Sequence, residues 1–197
     1  MPPPTASRPA RDRLLTAAGA LFYESGIAAT GVDAVLARAG VSPATMYAHF
    51  AGKDGLVAAY LEDRHTTWRQ TWDAVLAERT DAVDRLLSVF DAVDRFRGEQ
   101  GNRRGCAFLA AATELPPGHP GRRWLDADSE LLTARLRELA ADTGLPDPDD
   151  AAATLLLLYD GALSRLARAA TTPALPGDDP VTRARRLAAA WVAAHRG

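Results

Sequence analysis

Between Ser42 and Lys53 the chain brings together the hydroxyls of Ser42 and Thr45, the phenol of Tyr47, the imidazole of His49 and the ammonium of Lys53. These groups donate hydrogen bonds to oxygen anions. Tyr47, His49 and Lys53 have the reach for phosphate oxygens, which fixes register without reading sequence. Ala44 and Thr45 are small, with methyls suited to thymine and a hydroxyl suited to a base edge. A second grouping offers different chemistry: Cys106 with His119 or Glu114 supplies the parts of a thiol nucleophile. It carries the alternative reading, a small helical cysteine-dependent enzyme or binding module without DNA binding. No glycine-rich phosphate loop and no supported Cys–His pair accompanies it. Arg103 and Arg104 are cations near the thiol in sequence, as a redox sensor would need, yet an Ala-Phe-Leu setting fits a small buried hydrophobe better. Glu62 and His65 stand three apart on one helix, too few ligands to define a metal site. The expectation is no metal, no cofactor and no catalytic residue.

The elements that must position these groups are helices. Alanine, leucine and arginine dominate, β-branched runs are absent, and apolar residues recur at three and four. The pattern predicts helices over Pro9–Ser25, Val32–Ala39, Pro43–Phe50, Lys53–Arg79, Ala82–Arg97, Arg103–Leu115, Gly121–Thr143, Pro148–Ala170 and Asp179–His195. Ser7 is the expected cap of the first and Gly26 its stop. Turn residues punctuate the rest: Gly98 and Gly101, Pro116-Pro117-Gly118, Gly144 to Pro148, and Pro173, Pro176 and Gly177. The fold expected is all-α, with about nine helices. Residues 1–8 form a disordered arm, 9–52 a small three-helix unit, and 53–197 a larger bundle.

With 197 residues, 47% apolar and 24% charged, the chain has material for one or two cored domains. The longest apolar run, Ala151–Tyr159, is too short to cross a bilayer, and the first residues lack a signal-peptide pattern, so a cytoplasmic location is expected. Up to Gly55, Arg8, Arg11, Arg13, Arg38 and Lys53 stand against Asp12, Glu24, Asp33 and Asp54. That near-neutral balance gives each subunit only modest attraction for phosphate, so useful affinity for DNA requires two subunits.

The segment from Gly31 to Phe50 reads as a helix-turn-helix, whose second helix lies in the DNA major groove. Gly40 can end one helix in a left-handed conformation; Val41 plugs the angle; Ser42 caps the next helix with Pro43 in its first turn. Met46 and Phe50, four apart, face Val35 and Ala39. The plainer reading is two short helices around a structural turn, with Tyr47 and Phe50 in the core. The whole string decides between them. From Arg13 to Leu56 it resembles the N-terminal domain of TetR-family transcriptional regulators, through Ala18, Leu21, Phe22, Gly26, Val35, Ala39-Gly40-Val41-Ser42, Thr45, Tyr47, His49-Phe50, Lys53 and Leu56. The resemblance implies that Tyr47, His49 and Lys53 clamp the DNA backbone while Pro43, Ala44 and Thr45 line the groove, with Ser42 at the helix start. Where the family usually caps the preceding helix with Thr or Ser, this chain has Gly31, with Thr30 just before it.

Beyond Gly55 the resemblance is one of architecture, with Arg104-Gly105-Cys106-Ala107-Phe108-Leu109 and Glu114 similar to one C-terminal subgroup. It implies a ligand cavity within the middle helices and a dimer through the last two. Trp68, Trp72, Phe90, Cys106, Phe108, Trp124 and Tyr159 supply the material for a pocket, though the same rings could simply fill a core. Small residues such as Ala162 and Ala188, with bulk from Leu155, Leu158, Leu187 and Trp191, suit a two-fold four-helix interface. The expected function is a homodimeric regulator, a repressor released from a palindromic double-stranded operator by a partly apolar small molecule. No membrane partner is expected.

Overall fold

The structure, a computed structural model, describes residues 9–100, 105–169 and 179–196, and every regular element within them is an α-helix. They are α1 (Ala10–Ser25), α2 (Val32–Ala39), α3 (Pro43–His49), α4 (Gly52–Ala77), α5 (Ala82–Gln100), α6 (Ala107–Glu114), α7 (Arg122–Ala141), α8 (Pro148–Ala169) and α9 (Pro180–His195). No described helix is long and apolar enough to cross a membrane. The expected N-terminal arm, Ser7, Gly101, Arg103, Arg104, Pro173, Pro176 and Gly177 lie outside the described residues. The cap position of α1 is held by Pro9, which contributes no side-chain hydrogen bond.

The described residues fall into two compact units. The first comprises residues 9–64 with 107–125, so it draws in α6 and the first half of α4 beside α1–α3. Its core explains this. Leu14, Ala18 and Phe22 of α1, Val35 and Ala39 of α2, and Met46 and Phe50 leave little apolar surface exposed, but only together with Leu56, Tyr60 and Leu61 of α4 and Ala111 and Leu115 at α6. Phe22 meets Tyr60 edge-on with ring centroids 5.5 Å apart. Full burial of a side chain such as Met46, at 0% exposure, contributes about 1.5–3 kcal/mol.

The second unit comprises residues 65–106 and 126–197 so far as they are described. Its core joins Trp68, Trp72, Phe90, Leu136, Leu155 and Tyr159 to Val181, Ala188 and Val192 of α9. Charged groups tie its helices at the rim. Asp91 of α5 accepts from Arg79 and from Arg185 of α9, each at 2.9 Å. Asp147 receives the Asp149 and Asp150 N–H groups at 3.0 Å, capping α8, and Asp179 receives that of Val181 at 2.9 Å, capping α9. His65 faces the buried Asp128 at 3.6 Å, and burial, with Arg69 adding to it, holds the imidazole below its ordinary pKa.

Inside this core Trp72 and Ser88 are both fully buried, and the indole Nε1 donates to Ser88 Oγ at 2.9 Å. Removing the hydroxyl leaves a buried donor without its partner. Ser88→Ala is therefore expected to lower unfolding free energy by about 1–3 kcal/mol in a urea titration. A change below about 0.5 kcal/mol would contradict that account of the core.

Candidate nucleic-acid interface

The first unit builds its exposed helix from a reversal. Gly40 ends α2 with φ 60° and ψ 45°, a conformation that costs an L side chain but not glycine. Arg13 of α1 donates from Nη1 to the Ala39 and Gly40 carbonyls at 3.1 and 3.2 Å, satisfying acceptors that the helix end leaves open. Ser42 then starts α3: its Oγ accepts the Thr45 N–H at 3.2 Å and stands 2.8 Å from Thr45 Oγ1. Pro43 occupies the first turn. The inward face of the short helix is Met46, with Phe50 following it, both in the core with Val35 and Ala39 as expected. Val41 packs against the same core from the turn.

That packing leaves a defined outer face. Ser42, Pro43, Ala44, Ala48 and His49 are exposed, Tyr47 is 62% exposed, and Thr45 is half-buried. Tyr47 is thus on the outside, against the plainer reading that placed it in a core. Lys53, in the first turn of α4, is half-buried, and its Nζ donates to the Ala28 carbonyl at 3.4 Å. Arg11, a cation that the reading by spacing did not single out, stands over the Phe50 ring at 5.7 Å. Gly31 occupies the cap position of α2 with no side-chain bond, and Thr30 cannot stand in for the missing hydroxyl. Thr30 is 4% exposed and donates inward to Gly26 and Leu21 carbonyls.

The remaining candidates are distributed elsewhere. Trp68, Trp72, Phe90 and Tyr159 share the second core, with Cys106 packed against it; Phe108 and Trp124 pack against the first core instead. Trp68 gathers Trp72, Phe96 and Tyr159 at centroid distances of 5.7, 5.7 and 6.2 Å. Of the residues considered for pairing two subunits, Leu155 and Ala162 are buried in the second unit's own core. Leu187, 51% exposed, and the half-buried Leu158 and Trp191 remain on the surface, joined by Leu157 at 76%. Leu157 lies in a run of four leucines, so only the packed structure singles it out. Glu114 and His119 are both engaged in the first unit: Glu114 with the Ala28 N–H, His119 with the Gly121 N–H at 2.9 Å and with Asp54 at 3.4 Å. Among the described residues no cluster of three or more His, Cys, Asp or Glu is placed to hold a metal ion.

The family model described as bacterial regulatory proteins, tetR family, matches residues 14–60, the span that builds this unit's helix-turn-helix. The crystal structure of SCO4454, a TetR-family transcriptional regulator from Streptomyces coelicolor, superposes with a TM-score of 0.78 and 31% identity, covering 94% of this chain and 93% of that one. The HTH-type transcriptional regulator YjdC of Escherichia coli is 28% identical over 161 residues, 79% of this chain and 82% of its own. The HTH-type transcriptional repressor KstR2 of Mycolicibacterium smegmatis is 32% identical over 94 residues, 47% of this chain and 46% of its own. A left-handed glycine turn, a capped short helix with a solvent-facing side, and likeness along nearly the whole chain converge on one conclusion: the chain belongs to the TetR family of transcriptional regulators, and its helix-turn-helix is a DNA-binding unit.

Proposed function

We propose that the chain is a homodimeric repressor whose α3 enters the major groove of a palindromic operator and which a small molecule releases. The observation that carries this reading is the outer face of α3. Met46 and Phe50 anchor the helix, while Pro43, Ala44, Thr45, Tyr47, Ala48 and His49 are left for a partner. In this reading Ala44 and Thr45 meet base edges, and Tyr47, His49 and Lys53 meet phosphates. KstR2, a repressor by name, supports the direction of regulation.

Two subunits are needed because the unit's cations are few. A pair related by two-fold symmetry presents two α3 helices to successive grooves, about 34–36 Å apart. The surface favoured for that pairing is the outward side of α8 and α9, where Leu157 and Leu187 are exposed apolar side chains on neighbouring helices. The effector is drawn to the second core, where Trp68, Trp72, Phe96 and Tyr159 supply aromatic walls. The helix α4 runs from Gly52 to Ala77, so one element carries both Lys53 and Trp68. A hundredfold loss of operator affinity requires roughly 2.7 kcal/mol of differential effector binding between the two states.

Gel-shift titration across a salt series tests the DNA side. Lys53→Ala is expected to weaken binding on every sequence and to reduce the slope of log affinity against log salt by about 0.9 per subunit. Thr45→Ala is expected to alter the sequence recovered from a random pool while keeping affinity for non-specific DNA. An unchanged slope in the first, with an unchanged consensus in the second, contradicts the assignment of the α3 face. For the pairing surface, Leu157→Asp is expected to convert a dimer to a monomer in sedimentation at micromolar concentration while leaving helicity intact; a dimer that survives it places the interface elsewhere.

A further inference from the structure

The loop from Gly26 to Thr30, which leads into α2, is gripped at one residue from two sides. Glu114, the last residue of α6, accepts the Ala28 N–H on Oε2 over 2.6 Å. Lys53 donates from Nζ to the carbonyl oxygen of the same residue at 3.4 Å. Gly26 has φ +90° and lies directly against the carboxylate: a Cβ there would stand 3.1 Å from Oε1 and 3.4 Å from Oε2. Glycine therefore serves both the backbone turn and the approach of Glu114. The Thr30 hydroxyl donates to the Gly26 carbonyl at 2.7 Å, and Ile27, 7% exposed, sits in the core beside it. The inner part of the loop is thus fixed by its own residues, whereas the exposed Ala28 is fixed by Glu114 and Lys53.

We propose that Glu114 is a positioning residue for DNA binding. It holds the Ala28 amide through a charge-assisted hydrogen bond, which is short and about twice as strong as a neutral one. That bond sets the position of the Ala28 carbonyl, the rest on which the Lys53 ammonium stands. Where Lys53 stands determines how well it meets a phosphate. The inference rests on the reading of Lys53 as a phosphate contact. It assigns a role to a residue that the thiol-nucleophile reading had grouped with Cys106, and that role needs α6 as part of the DNA-binding unit, where the structure places it.

A double-mutant cycle on the full-length protein tests it, using a duplex recovered from a random pool by the parent and reading affinity by fluorescence anisotropy. Glu114→Ala is expected to weaken binding about tenfold when Lys53 is present and less than about twofold in the Lys53→Ala background. Glu114→Gln keeps an oxygen able to accept the Ala28 N–H, so it is expected to bind within about threefold of the parent; it also serves if the alanine variant fails to fold. A purely structural role would lower affinity by the same factor in both backgrounds, and that result overturns the proposal. So does parent-like binding by Glu114→Ala alongside the expected loss in Lys53→Ala, which leaves the phosphate reading standing. Lys53→Ala with unchanged affinity and salt slope removes the phosphate reading, and this inference with it.

Discussion

Gly40 closes α2 in a left-handed turn, and the Arg13 guanidinium satisfies the carbonyls that this turn leaves open. The geometry of the exposed helix follows from that pair. With α2 ended there, Val41 packs onto the core, Ser42 caps α3, and Met46 and Phe50 join Val35 and Ala39 in that core. A side chain at position 40 would have to pay the left-handed penalty of about 1 kcal/mol or more, or else carry the helix on and lose the turn. Because Met46 and Phe50 consume the inward face, the outward face is settled by exclusion. The exposed face of α3 is therefore a by-product of core packing by Met46 and Phe50.

The same unit is economical with its cations. Arg13 is committed to backbone carbonyls, Arg38 pairs with Glu24 at 3.2 Å, and Arg11 stands over the Phe50 ring. Much of the positive charge in the small N-terminal unit is thus used to hold shape. Few groups are left to neutralise phosphates, so one subunit would bind DNA weakly, and doubling the contacts is the physical route to useful affinity. Leu157 of α8 and Leu187 of α9 are exposed in the second unit, and the proposed pairing through them would supply that doubling.

Much of the fold was legible because helical periodicity and turn chemistry are local. Val32–Ala39 appears as expected, and the other helices begin or end within a few residues of their signals. The helix-turn-helix was legible for the same reason: Gly40, Ser42 and Pro43 act on their immediate neighbours. What the sequence hid depends on packing between distant segments. Glu114 meets Ala28 across 86 residues, and nothing near either of them announces it. The aromatic residues looked like one set but are divided between two cores, with Phe108 and Trp124 in the first. On α8, small and large apolar residues repeat on every side, so periodicity could not tell Leu155, which is buried in the second core, from Leu157, which is exposed. Only the neighbouring helix decides which side is covered.

The central claim is that an outward-facing α3, paired by symmetry, lies in two successive major grooves. Hydroxyl-radical footprinting of a duplex bound by the full-length protein tests it most directly. Two symmetric clusters of protected sugars are expected, with the centres of the two half-sites about 10–10.5 base pairs apart, one turn of the duplex. A single unpaired cluster, or protection spread evenly along the duplex whatever its sequence, would contradict it.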